Sequence, residues 1–299
     1  MPKRLPLSNL LRISLTLMLI TLCSGSMFGY WLARQAARGV VSPPRQSIPP
    51  QENPGAYQMP YQDIVLTTLD GISISAWYTP PQNGMTILLA HGFATRRHIE
   101  YHTWLVGQGY GALSWDFRGH GLSGGDHTTF GYLEGQDVFA ALDFLLAQPE
   151  TQHIAAFGDS MGGVALIGAA AQRPEIEALV VDSSFRSLQS TIQRQVNFPI
   201  LDWFAVGIIG DQMGVAVREV SPQDWVSKIA PRPILIIQGT ADPLIALDSA
   251  QVLGERYGTG AQIWLIPDAT HSAAFYTHKI EYCTRVDQFF RESLGVPHN

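Results

Sequence analysis

At 299 residues, 46% of them hydrophobic and only 15% charged, the chain is long enough for a sizeable core and too apolar for a disordered polypeptide. A formal net charge of −6 argues against nucleic acid as a ligand. Lys3, Arg4, Arg12, Arg34, Arg38 and Arg45 all fall in the first 45 residues, which hold no acidic side chain, so the remainder is more acidic still. The two cysteines, Cys23 in an apolar N-terminal stretch and Cys283 near the other end, rule out a disulfide framework.

Residues 1–12 form a short basic tail. Between Arg12 and Arg34 every position is uncharged and most are Leu, Ile, Met, Ser or Thr, enough to cross about 30 Å of hydrocarbon as a helix. A membrane anchor is therefore expected over 13–33, with Tyr30 and Trp31 at an interface. The alternative is a cleaved signal peptide, with Ser24-Gly25-Ser26 as small residues at the cleavage site and a secreted product. So short a tail is expected to stay cytoplasmic and leave the body outside the membrane. Residues 34–60 carry Pro43, Pro44, Pro49, Pro50, Pro54 and Pro60 and are expected to be an extended linker.

The body, 61–297, opens with two alternating runs, 62–66 and 72–78, joined through Asp70-Gly71 as an antiparallel pair. Short apolar runs then recur at 86–90, 112–115, 154–157, 178–181, 234–238 and 262–266, that at 234–238 built of Ile and Leu up to Gln238, spaced widely enough for helices between them. Unbroken runs of this kind read as buried parallel strands of an α/β domain. The last stretch, to about Leu294, reads as a helix.

Three residues in this frame carry chemistry. Gly158-Asp159-Ser160-Met161-Gly162 lies between the strand at 154–157 and a helical segment of small residues, the setting in which a tight turn pushes a serine out of the sheet. Asp242 falls in the loop after the strand at 234–238, and His271 in the loop after the strand at 262–266. Loops at the carboxyl ends of parallel strands converge on one crevice, so Ser160, Asp242 and His271 can meet despite their separation. His271 would act as general base on the weakly nucleophilic hydroxyl, and Asp242 would hold the imidazole in the useful tautomer. Asp182, ending the strand at 178–181, is the competing acid.

Together with the strand at 86–90 leading into His91-Gly92-Phe93, and with Asp116-Phe117-Arg118-Gly119-His120-Gly121-Leu122-Ser123, this pattern resembles the α/β-hydrolase superfamily, near its serine esterase and peptidase-like members with a small cap. The resemblance covers about 61–296. It implies a mostly parallel, twisted sheet of about eight strands, helices on both faces, and a helical cap within about 184–225. It assigns an oxyanion hole to the backbone N–H groups of Phe93 and Met161. It makes His91 and His120 turn-stabilising groups, and Asp116 and Arg118 a structural pair. A serine at the elbow points to acyl transfer, so cleavage of an ester, thioester or amide is expected. An acyltransferase using the same residues and a non-catalytic, membrane-tethered binding module are the alternatives.

Within the expected cap, 197–213 is unusually apolar. Phe198, Leu201 and Trp203 are expected to line an acyl pocket, although the stretch also suits contact with a bilayer or a plain crossover helix. The partners expected are a small or lipid-like acyl substrate and, through 13–33, a membrane; oligomeric state is left open. No metal-binding spacing, phosphate loop or dinucleotide fingerprint is present, so no metal and no cofactor are expected.

Overall fold

The computed structural model describes residues 7–49, 52–196 and 198–295. Eight strands, β1 (Gln62–Thr67), β2 (Ser73–Thr79), β3 (Met85–Ala90), β4 (Gly111–Trp115), β5 (His153–Asp159), β6 (Ala178–Asp182), β7 (Ile234–Gly239) and β8 (Ala261–Ile266), form one sheet in the order β1-β2-β4-β3-β5-β6-β7-β8. Only the β1–β2 and β2–β4 pairs are antiparallel. The β1–β2 turn closes at Gly71, whose φ of +83° suits a residue without Cβ.

The central strands are buried along their whole length because helices cover both faces. Side-chain alternation divides each strand between two cores. Leu88, Leu113, Ala156, Val181 and Ile236 face α3 (Glu134–Leu146), α4 (Met161–Ala170) and α8 (Asp248–Tyr257), while Ile87, Ala112, Phe157, Val180 and Ile237 face α2 (Ile99–Gly107) and α10 (Lys279–Leu294). On α10, Tyr282, Val286, Phe289 and Phe290 recur at helical spacing and form its buried stripe.

Between β6 and β7 lies the cap: α5 (Leu188–Val196), α6 (Pro199–Met213) and the short α7 (Pro222–Trp225). A third apolar cluster beneath it joins Phe185, Leu188, Ile192, Met213 and Val217 to Phe130, Val164 and Ile245. One further four-residue helix, α9 (Ala274–Thr277), precedes α10.

The N-terminal part departs from the expected linker. Helix α1 spans Leu7–Val41, so 34–41 are helical, consistent with the good helix formers Ala33, Arg34, Gln35, Ala36, Ala37 and Arg38 and with no proline between Leu7 and Ser42. The segment after it lies along the body. Val41 accepts a hydrogen bond from the Thr128 amide at 2.8 Å, Pro43 is buried, Arg45 donates to the carbonyls of Gly121, Ser123 and Gly125, and Gln46 donates to that of Ala94. Of the expected anchor, 13–33, the side chains of 13–22 lie outside the described part, as does the tail at 1–6. Among the described residues no helix is long and apolar enough to cross a membrane.

Candidate active site

The sheet order puts β3 between β4 and β5, so the chain leaves β3 toward one edge and returns across it to β5. Such a reversal opens a crevice at the strands' carboxyl ends. Ser160 follows β5 there, with φ +50° and ψ −119°, a conformation that side chains rarely adopt. It is held by close packing. A Cβ on Gly162 would collide with the Ala90 carbonyl oxygen, and one on Gly158 would come within 2.7 Å of the Gly162 and Gly163 backbone. Only glycines at both places let α4 start against β3 and β5.

The structure brings Ser160, His271 and Asp242 together. Ser160 Oγ lies 3.0 Å from His271 Nε2, and His271 Nδ1 lies 2.8 Å from Asp242 Oδ2. Asp242 is over-supplied with donors: Oδ1 accepts from the amides of Leu244 (2.8 Å) and Ile245 (2.9 Å), and Oδ2 also accepts from Gln238 Nε2 (3.0 Å). Burial pushes its carboxyl up, but the hydrogen bond from His271 and these amides outweigh burial and hold it below the usual carboxylate range. Burial pushes His271 down, and the hydrogen bond to Asp242 with its negative charge reverses this and raises the imidazole above its ordinary value.

Asp182, the competing acid, is spoken for. Fully buried, its two oxygens accept from Tyr282 Oη (2.7 Å) and Ser183 Oγ (2.8 Å), and desolvation pushes its carboxyl up to about 6. His91 and His120 stabilise turns. His91 Nε2 accepts from the Phe117 amide and His120 Nε2 from the Ala94 amide, and burial lowers both imidazoles. The expected Asp116–Arg118 pair does not form: Asp116 binds Arg97 (3.2 Å) and the amides of Arg97 and Leu122, while Arg118 binds Asp70 and Asp137 (both 2.7 Å).

Above Ser160 is a cavity of about 580 Å3, in the range of small-molecule sites. Phe93 and Met161 line it beside Ser160 and His271. Met161 is the first residue of α4, where amides lack an intrahelical acceptor. Phe198, Leu201 and Trp203 do not line it; all three are exposed, Trp203 to 74%. Their helix is apolar all round, so no stripe tells which side faces inward; Ile208 and Met213 are its buried side chains, and Ile209 is its contribution to the cavity wall. The cap's share of the wall comes mostly from α5, through Leu188, Thr191, Ile192, Gln195 and Val196. Their spacing (i, i+3, i+4, i+7, i+8) is legible in the sequence as an amphipathic face.

Sequence reasoning also missed a second acid–base pair. Asp159, inside the pentapeptide, lies 3.6 Å from His98 Nε2, and both line the cavity. Burial lowers His98, but the negative charge of Asp159 beside it raises it overall. Among the described residues no group of three or more His, Cys, Asp or Glu side chains is arranged to hold a metal.

With this geometry in hand, similarity to known proteins is informative. A family model described as serine aminopeptidase, S33 (Hydrolase_4) matches residues 81–209. An uncharacterised protein of Mycobacterium tuberculosis is 35% identical over 219 residues, covering 71% of this chain and 72% of that one. The uncharacterised protein YfhR of Escherichia coli is 27% identical over 226 residues, 72% of this chain and 74% of its own. Among solved structures, the Pyrococcus furiosus esterase Pf2001 superposes with a TM-score of 0.72 at 27% identity, covering 85% of this chain and 98% of that one. This chain is a serine hydrolase of the α/β-hydrolase superfamily.

Proposed function

We propose that the protein hydrolyses carboxylic esters of apolar acyl groups through an acyl-enzyme on Ser160. The observation that supports this most directly is the hydrogen-bonded run Asp242–His271–Ser160 on the floor of an apolar cavity. Ser160 Oγ attacks the acyl carbon as its proton passes to His271 Nε2, and the imidazolium that forms faces the Asp242 carboxylate. The amides of Met161 and Phe93 take the negative oxygen. Collapse breaks the ester C–O bond, His271 returns the proton to the departing alkoxide, and a water molecule, deprotonated by the same imidazole, releases the acid.

One observation favours a second reading, release of an N-terminal aminoacyl group. Asp159 Oδ1, buried beside Ser160, accepts no hydrogen bond, its neighbour His98 Nε2 standing off at 3.6 Å, and is an acceptor suited to an α-ammonium group. The proposal also includes membrane attachment through 13–33, with the body outside the cytoplasm. It is supported by the uncharged run between Arg12 and Arg34 and by the aromatic pair Tyr30–Trp31 near its end.

A panel of p-nitrophenyl esters of increasing acyl length, aminoacyl amides and thioesters, with Ser160→Ala as blank, tests the reading. Ester turnover that vanishes in Ser160→Ala supports it. Preferential amide cleavage supports the second reading. Inertness toward the whole panel and toward a fluorophosphonate probe refutes both, and transfer to an added alcohol in preference to water reassigns the acyl-enzyme to a transferase.

A further inference from the structure

The exposed apolar surface is unevenly distributed. Of the 21 exposed large hydrophobic side chains among the described residues, ten sit on the end of α1 and the start of α6: Met27, Phe28, Tyr30, Trp31, Leu32 and Val40, and Phe198, Leu201, Trp203 and Phe204. The two helices pack against each other, and Gln212 of α6, with its amide oxygen turned to Arg34 of α1, accepts from the guanidinium at 2.9 Å. Patches of this kind on a monomer mark an interaction surface.

This surface joins the cavity. Val40 of α1, Leu244 and Tyr276 line the cavity and are exposed at the same time, so the rim of its mouth is apolar; Ile209 of α6 and Val196 of α5 continue the wall inward. α1 runs unbroken from Leu7 to Val41. The uncharged stretch ends at Ala33, and from there to Val40 is seven residues of the same rod, about 10 Å at ~1.5 Å per residue. That is comparable with the polar layer on each side of a bilayer, about 5 to 8 Å. Over that interval α1 exposes Arg34 and Arg38, one turn apart, at the depth of phosphate groups, whereas the rest of the chain is acidic. The segment after Val41 is bonded to the body through Arg45 and Gln46, so rod and mouth keep a set spacing.

We infer that the α1–α6 face is seated on the bilayer, and that the substrate is an acyl ester of a membrane lipid whose chain passes from the bilayer into the cavity over the rim at Val40. This rests on Ser160 as nucleophile and 13–33 as anchor. Lipid esters then reach Ser160 without crossing water, and the two roles suggested by the apolar stretch 197–213 are divided, the exposed side chains meeting lipid and the inner ones the acyl group.

The test uses the full-length chain reconstituted in phosphatidylcholine–phosphatidylglycerol vesicles. Two substrates are compared, a phosphatidylcholine with self-quenched fluorescent acyl chains in the same bilayer and a water-soluble butyryl ester. Two variants are measured, Trp203→Glu and a flexible Gly-Ser spacer inserted between Ala33 and Arg34. The parent is expected to cleave both substrates, and each variant to lose about tenfold or more of the lipid rate relative to the butyryl rate. Variants that keep the parent's ratio overturn the inference, as does a parent that floats with the vesicles and cleaves butyrate but not lipid, or one that does not associate with vesicles. A parent inert toward both substrates and toward a fluorophosphonate probe overturns the serine-hydrolase mechanism instead, which separates the two failures.

Discussion

Replacing Asp242 with Asn changes one oxygen into NH2 and tests the proposed chemistry with little change of shape. Asp242 accepts four hydrogen bonds, two at each oxygen. In Asp242→Asn the carbonyl oxygen keeps the amides of Leu244 and Ile245, while the new NH2 faces Gln238 Nε2 and His271 Nδ1. Two donors cannot bond each other, but Gln238 Oε1 is buried without a partner, and a half-turn of that amide brings it round to the new donor. The cost in stability is therefore about 1 to 3 kcal/mol, because the turned amide gives up its bond to the Gly239 carbonyl and carries its NH2 into the buried place where Oε1 had no partner. The cost in rate is far larger. His271 Nδ1 must now accept, so the neutral ring carries its proton on Nε2, aimed at Ser160 Oγ, and cannot take another. A fall in kcat of about 10^4 is expected, roughly 5.5 kcal/mol of barrier. Stopped-flow release of p-nitrophenol gives the rate, and calorimetry of the same samples gives the stability. A folded variant within tenfold of the parent would refute the role of Asp242.

Three further outcomes are expected. Because Asp242 raises His271 above its ordinary value and only the neutral imidazole is a base, kcat/KM should rise with pH through a midpoint above 6.5, and a pH–rate profile with its acid limb below that value contradicts the assignment. Ser160→Gly should be inactive yet more stable than Ser160→Ala by about 1 kcal/mol in urea unfolding, since glycine relieves the positive φ; equal midpoints would mean the elbow is unstrained. Ile192→Trp should fill the inner cavity and depress octanoyl over acetyl ester turnover by about tenfold or more, and an unchanged chain-length profile would move the acyl group elsewhere.

Much of this was legible beforehand. Ile234 to Gln238, Ala178 to Val181 and Ile154 to Phe157 read as buried strands, because unbroken apolar runs need cover on both faces. The glycines around Ser160 marked a turn that admits no Cβ at Gly158 or Gly162. Given parallel strands, the loops carrying Asp242 and His271 had to open on the same side as Ser160, so their meeting was inferable from topology.

Pairings between side chains on separate loops were not. Asp116 turns to Arg97 and Arg118 to Asp70 and Asp137, and His98 meets Asp159 across the cavity, because such contacts depend on how loops are laid over the sheet. The cap divides along the same line. α5 announces its inner face through Leu188, Ile192 and Val196, whereas α6, apolar on every side, offers no local pattern to orient it, and packing alone left Phe198, Leu201 and Trp203 outside. The sequence by itself determined where the strands lie along the chain and which residues stand at their ends, since both follow from local periodicity and turn sterics. Tertiary structure decided which apolar side chains enclose the site and that the end of α1 is part of its wall, since both depend on contacts between segments far apart in the chain.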